Sequence, residues 1–267
     1  MKTWTTEKFK AAKGREKLSC VTAYDYTFAR LADEAGVQSI LVGDSLGMTM
    51  LGYSSTLPVT MDDMVSHTAA VARGAVTHAL VLADMPFLSY QCSLEEGLRN
   101  AGRLLKEGGA DAVKLEGYYP ELTAACVKAG IPVCAHLGLT PQSVNVFGGY
   151  KVQAKTRSAV DRLLEEAHGM ADAGAFTVVL ECVPPDVARA VTDAVPIPTI
   201  GIGAGPCCDA QVLVMQDMLG LTPAAPKFVK RYAELGETVK AAFAAYVKDV
   251  ADGVFPGEAE CYKPAGV

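Results

Sequence analysis

Short, nearly uninterrupted apolar runs alternate along the chain with stretches of helical periodicity. Eight runs predict strands: 18–25 (LSCVTAYD), 39–44 (SILVGD), 79–86 (ALVLADMP), 112–117 (AVKLEG), 133–139 (VCAHLGL), 177–182 (TVVLEC), 199–205 (TIGIGAG) and 211–219 (QVLVMQDML). Continuous apolar runs suit strands covered on both faces, as in a parallel sheet with helices outside. Between the first two strands, Phe28, Leu31, Ala32 and Ala35 share one helical face, and Gly36 stops the helix. Thr60 and Asp63 form a capping box for a helix ending near Gly74; Ser93 and Glu96 form a second for a helix ending at Gly108-Gly109. Further helices are expected near 120–129 and 157–173. A last one, over 226–252, lies beyond the repeat and precedes the tail VFPGEAECYKPAGV.

Eight strands separated by helices predict an α/β protein with a closed (β/α)8 TIM barrel and an additional C-terminal helical segment. An open doubly wound sheet is the alternative. No stretch has linker composition, so 1–267 reads as a single barrel domain. EAGVQSILVGD, EGGADAVKLEG and DAGAFTVVLEC share one plan of helix end, glycine, apolar strand and carboxylate. Repeated helix–turn–strand units account for the glycines but do not require the carboxylates.

Composition narrows the class. Half of the 267 residues are hydrophobic (50%), enough for one large core, and the net charge of −6 comes with interspersed signs. Without a basic stripe, neither nucleic acid nor an anionic membrane is expected as a partner. No apolar run approaches the ~20 residues of a membrane span, and the polar start MKTWTTEKFKAAKGREK lacks the apolar core of a signal peptide. The 8 cysteines are scattered, with Cys20, Cys134 and Cys182 inside apolar runs, no C-x-x-C, and an adjacent Cys207-Cys208 pair that makes a poor zinc pattern. Reduced, mostly buried thiols in a cytoplasmic protein are the expectation.

The chemistry sits at strand ends. Asp25, Asp44, Asp84, Glu116 and Glu181 all fall at or near the C-terminal end of a predicted strand, the rim that carries catalysis in such barrels. Singly, each is open to reading as a helix cap or turn residue. Together, Asp44, Asp84 and Glu116 follow three consecutive strands about 4.8 Å apart and can converge. Their mutual repulsion is relieved by a hard divalent ion such as Mg²⁺. Lys114 and Glu116 are two apart and face the same way. Lys114 then meets an anionic substrate, forms a structural ion pair, or is the Schiff-base lysine of a metal-free aldolase. His136 follows one strand later, as a substrate contact or a hydrogen-bonded core residue. Glu181 stands apart from the trio and is the candidate general base. GIGAG at 201–205 fails the dinucleotide pattern because Pro206 stands where its last glycine belongs, and reads as tight backbone packing near the site, with anion binding as the alternative.

TAYDY, LVGDSLGM, STLPVT, LADMPF, VKLEG, HLGLTPQSVNVFGGYKVQ, LECVP, IGIGAG and PGE, in order from about residue 18 to 258, resemble the ketopantoate hydroxymethyltransferases. The 136–153 block and LVGDSLGM are specific. The resemblance implies a Mg²⁺ enzyme that moves a hydroxymethyl group from 5,10-methylenetetrahydrofolate to 3-methyl-2-oxobutanoate. The product is 2-dehydropantoate, for pantothenate and coenzyme A synthesis. It implies Asp44, Asp84 and Glu116 as metal ligands. Ser45, Lys114 and His136 contact the oxo acid, with Asp44 and Asp84 also at the substrate, and Glu181 is the base. It further implies a cytoplasmic homodecamer of two pentamers. No residue is assigned to folate. GPCCDAQ at 205–211 departs from the family pattern in a loop that holds none of these residues. Among rival functions, a lyase or mutase acting on another oxo acid is disfavoured by the 136–153 block. A non-catalytic binder would leave five costly acidic residues unused.

Overall fold

The structure, a computed structural model, describes residues 2–263. The chain divides into two compact units, Met1–Met215 and Gln216–Val267.

In the first unit eight parallel strands close into a barrel in sequence order. They are β1 (Leu18–Thr22), β2 (Ser39–Val42), β3 (Leu80–Asp84), β4 (Ala112–Glu116), β5 (Val133–Gly138), β6 (Thr177–Glu181), β7 (Thr199–Ile202) and β8 (Ala210–Leu213). The helices are α1 (Thr6–Ala11), α2 (Tyr26–Glu34), α3 (Leu46–Thr49), α4 (Met61–Gly74), α5 (Leu94–Lys106), α6 (Pro120–Lys128), α7 (Val144–Phe147), α8 (Arg157–Asp172) and α9 (Pro185–Ala194). The closed barrel excludes the open-sheet alternative.

Side chains alternate along each strand between the barrel interior and the helical layer. Leu18, Cys20, Leu41, Leu80, Leu82, Ala112, Cys134, Val179 and Ile200 belong to one buried cluster with Trp4 and Phe9. Ala135, Leu137, Val178 and Leu180 face the other way and pack with Leu163, Ala167 and Met170 of α8 and Val187, Ala188 and Val191 of α9. The short α1, capped by Thr5, covers the end where strands begin: Phe9 lies edge-on to Trp4 and to Phe176, at centroid distances of 6.5 and 6.1 Å. The lower interior is therefore mostly apolar, and its charged groups gather at the strands' C-terminal ends.

Several expected elements differ. The last strand stops at Leu213, and Met215–Met218 forms a helical turn, α10, whose first N–H donates to Thr22 Oγ1 at 2.9 Å. The apolar run 211–219 could not separate these two short pieces. α1 and α9 were not expected: the first is only six residues long, and the second opens on Pro184-Pro185 with proline at its first turn. The Thr60–Asp63 capping box forms in full, whereas Ser93 takes the Glu96 N–H at 3.2 Å without the reciprocal bond. On α2 the buried face holds Ala29 and Asp33, while Leu31 is 47% exposed. Asp33 reverses the expected face because its carboxylate accepts from Thr77 N and Oγ1, His78 N and Ala79 N at 2.5–3.1 Å. A carboxylate that satisfies four donors is more stable inward than an apolar side chain would be.

In the second unit the long helix is α11 (Leu235–Ala251), shorter than the expected 226–252. Ahead of it Arg231 holds an irregular loop, donating to the Thr222 and Pro223 carbonyls and to Glu234. Tyr246 packs edge-on to Phe255 at 5.5 Å. Among the described residues no helix is long and apolar enough to cross a membrane. All eight cysteines are free; Cys20, Cys126, Cys134 and Cys208 are buried, and Cys92 and Cys261 are exposed.

Asp33 generates a stability prediction. Burial pushes its carboxyl up, but the bond from Thr77 and the backbone donors outweigh this and leave it below the usual carboxylate value. A depressed folded-state value means stability that is present above the unfolded value, about 3.9, and lost as pH falls through the folded value. Asp33→Ala should cost on the order of 3 kcal/mol in denaturant unfolding near neutrality. The wild-type advantage should shrink as the pH is lowered below about 4.

Candidate active site

Register brings the charged side chains together at the C-terminal rim. Asp84 pairs with Lys114 across β3–β4, Glu116 with His136 across β4–β5, and Gly138 with Glu181 across β5–β6. Neighbouring inward positions of consecutive strands therefore carry Asp84, Lys114, Glu116, His136 and Glu181. Asp44 joins from the turn two residues past β2, where its N–H donates to Asp84 Oδ2 at 3.1 Å. Gly138 sits at φ +90°, and a Cβ there would lie 2.5 Å from the Glu181 carbonyl oxygen. Glycine thus lets β5 and β6 meet closely enough to aim Glu181 at His136.

Lys114 Nζ lies 3.2 Å from Asp84 Oδ1, 3.5 Å from Glu116 Oε1 and 2.9 Å from His136 Nδ1. An ammonium only donates, so Nδ1 accepts and the neutral ring carries its proton on Nε2. That nitrogen stands 3.3 Å from Glu181 Oε2. Lys114, Asp84, Glu116 and His136 are each about 3% exposed, and Glu181 is 16% exposed. Glu181 is thus the member of the set most open to an arriving ligand.

The electrostatics are unbalanced. Burial pushes the Asp44 carboxyl well above the usual range, and Glu116 and Asp84 push it further. Asp84 is raised as well, by burial first, with Lys114 pulling against it. At Glu116 burial is outweighed by Lys114 and His136, which hold it at about 2. Lys114, although buried, stays charged and above the usual lysine value because Asp84, Glu116 and Asp44 surround it. Three carboxylates thus share one permanent cation.

Oxygens of Asp44, Asp84 and Glu116 lie within 4.8 Å of one another, all buried. Asp84 Oδ1 accepts no hydrogen bond. An all-oxygen, all-carboxylate donor set with residual negative charge and an oxygen held by an ion pair alone fits a hard divalent cation.

Of the other expected residues, Ser45 lies beside the cluster, its hydroxyl 2.8 Å from that of the buried Tyr24. Asp25 does not join; it caps α2, accepting from Phe28 N at 2.9 Å. GIGAG is tightly packed, since a Cβ on Gly201 would meet Cys208 Sγ at 2.9 Å. Segment 144–153 is tied across the rim: Gln153 N donates to the Cys182 carbonyl at 2.8 Å, and the Tyr150 hydroxyl lies 3.7 Å from Met48 Sδ. Two participants escaped the sequence reading. Gln142, in the turn after β5, donates through Nε2 to Asp44 Oδ2 and through its N–H to Glu116 Oε2, each at 2.9 Å. Tyr90 donates to Gln142 Oε1 at 2.9 Å. A loop amide and a loop phenol look like ordinary turn residues, and only their three-dimensional partners distinguish them.

Comparison with known proteins places the chain in a family. Residues 3–258 match the family model described as ketopantoate hydroxymethyltransferase. A 3-methyl-2-oxobutanoate hydroxymethyltransferase of Clostridium novyi (strain NT) is 56% identical over 266 residues, covering 98% of this chain and 96% of that protein. One of Enterococcus faecalis (strain ATCC 700802 / V583) is 56% identical over 263 residues, covering 97% and 95%. Among solved structures, phosphonopyruvate hydrolase superposes with a TM-score of 0.63 at 13% identity, covering 98% of this chain and 92% of that one. The 2,3-dimethylmalate lyase of the PEP mutase/isocitrate lyase superfamily gives 0.58 at 17% identity, covering 96% and 91%. At those identities the likeness is one of fold. With a barrel closed strand by strand, a carboxylate cluster on its rim and near-full-length matches above half identity, the chain belongs to the ketopantoate hydroxymethyltransferase family, a family of transferases.

Proposed function

We infer that this protein transfers a hydroxymethyl group from 5,10-methylenetetrahydrofolate to 3-methyl-2-oxobutanoate, giving 2-dehydropantoate for pantothenate and coenzyme A synthesis in the cytoplasm. The observation that carries the reading is the joint position of Asp44, Asp84 and Glu116 with the Lys114–His136–Glu181 line on one rim. Asp44, Asp84 and Glu116 would hold Mg²⁺, which when bound supplies Lewis acidity to the ketone oxygen of the 2-oxo acid.

The chain's own groups do the rest. Lys114 offers positive charge to the substrate carboxylate, and Asp44, Ser45, Asp84 and His136 line the same site. Its ion pairs with Asp84 and Glu116 keep Lys114 protonated, which disfavours the Schiff-base alternative, since an imine needs the free amine. Glu181 takes the proton from C3, with His136 Nε2 standing 3.3 Å from its carboxylate. The C3 carbanion equivalent then bonds to the folate-borne carbon. Water supplies the hydroxyl as both carbon–nitrogen bonds from that carbon to folate break, and the two folate nitrogens take up the proton lost from C3 and the second proton of water. The strap of residues 144–153, pinned near Met48 and Cys182, would limit solvent at the rim.

We also infer a homo-oligomer, the decamer implied by the family resemblance. Val239, Phe243, Val247 and Val250 recur at helical spacing on α11 and are 37, 67, 66 and 48% exposed in the single chain. Such a stripe favours burial against another surface. Light scattering at micromolar concentration should show a particle much larger than a dimer, and Phe243→Glu with Val247→Glu should shrink it. A wild-type monomer would refute the assembly.

The mechanism predicts hydrogen exchange without folate. In D₂O with Mg²⁺, the C3 proton of 3-methyl-2-oxobutanoate should wash out, as followed by proton NMR. Glu181→Gln should slow this by about 10²–10⁴-fold while Mg²⁺ binding, measured by calorimetry, is retained. Glu116→Gln should weaken both. Wild-type exchange in Glu181→Gln would assign the base elsewhere.

A further inference from the structure

We propose that Gln142 is a positioning residue that holds two of the three carboxylates, Asp44 and Glu116, in the arrangement a divalent cation needs. This rests on the cation site proposed above.

Gln142 is 5% exposed and reaches the site from the turn after β5 (Pro141–Ser143), a different element from any of the carboxylates. Its backbone N–H donates to Glu116 Oε2 at 2.9 Å. Its side-chain Nε2 donates to Asp44 Oδ2 and to the Met85 carbonyl, both at 2.9 Å. Oε1 accepts from the Tyr90 hydroxyl at 2.9 Å and from Gln91 Nε2 at 3.3 Å. The amide has one compatible orientation. Turned over, its oxygen would face a carboxylate and a carbonyl, neither of which can donate. Tyr90 closes the circuit: its oxygen accepts from Glu116 N at 3.1 Å, and its one proton is shared between Gln142 Oε1 at 2.9 Å and the Glu116 carbonyl at 3.0 Å.

The pattern of used and unused oxygens shows what the circuit does. Each carboxylate spends one oxygen on a protein N–H: Asp44 Oδ2 on Gln142 Nε2, Asp84 Oδ2 on Asp44 N, and Glu116 Oε2 on Gln142 N. The second oxygens of Asp84 and Glu116 face Lys114 Nζ at 3.2 and 3.5 Å, and Asp84 Oδ1 has no hydrogen-bond donor. Two of the three outer bonds come from the single residue Gln142. The third, Asp44 to Asp84, depends on the Asp44 turn that Gln142 anchors. A neutral amide suits this role. Lysine or arginine in its place would also bond the carboxylates, but would add positive charge beside an incoming dication. An amide fixes direction and leaves the negative charge of the trio intact.

Gln142→Met keeps length and removes both side-chain donors. The full-length protein, stripped with chelator, is titrated with Mn²⁺ and then Mg²⁺ by calorimetry, and its metal-free melting temperature is recorded. The variant should bind cation about 10–100-fold more weakly, with a melting temperature close to wild type. Tyr90→Phe, which leaves Oε1 only the longer bond from Gln91, should weaken binding less and in the same direction. The double variant should match Gln142→Met, because both act through one circuit. Wild-type affinity in Gln142→Met, a loss confined to the melting temperature, or additive losses in the double variant would each overturn the role. If Gln142→Met does not fold, wild-type affinity in Tyr90→Phe overturns it instead. Wild-type protein that takes up no cation would remove the cation site itself, and this role with it.

Discussion

Three carboxylates and one ammonium occupy a volume where nearly every side chain is about 3% exposed. At 4 Å, unit charges interact by about 4 kcal/mol even at an effective dielectric constant near 20. Lys114 can neutralise one carboxylate and lean toward a second, but Asp44 remains, and burial raises its carboxyl well above the usual range. Left alone, such a cluster takes up a proton or opens. A divalent cation bound there, as proposed, would offset the excess charge and turn a liability into a site of high field.

The rest of the fold supports that concentration of charge. α1 and its aromatic pair close the end where strands begin, and the interior layers below the rim are apolar. The charge inside the barrel gathers at the strands' C-terminal ends, where loops supply Gln142, Tyr90 and Ser45 around it. Strand register, not loop conformation, places Asp84, Lys114, Glu116, His136 and Glu181. That makes the spacing of these groups as stiff as the barrel itself.

Much of this was legible because strands buried on both faces are apolar throughout, so Lys114 and Glu116 stood out in AVKLEG. Convergence followed from strand order alone. What escaped depended on contacts outside any periodic pattern. Asp33 reversed the buried face of α2 through four donors from another loop, and α1 and α9 are short or proline-led. The apolar stretch after β8 hid the break between Leu213 and Met215. Gln142 carried no sequence signal, since its role lies in partners 98 and 26 residues away.

The central claim is that Asp44, Asp84 and Glu116 jointly hold a divalent cation beside a protonated Lys114. Crystals grown with Mn²⁺ and measured at the manganese absorption edge test it directly. An anomalous peak should lie among the carboxylate oxygens, at metal–oxygen distances of about 2.2 Å and with Lys114 still paired to Asp84. Crystals with saturating Mn²⁺ but no peak there, with Lys114 bridging the carboxylates alone, would contradict it.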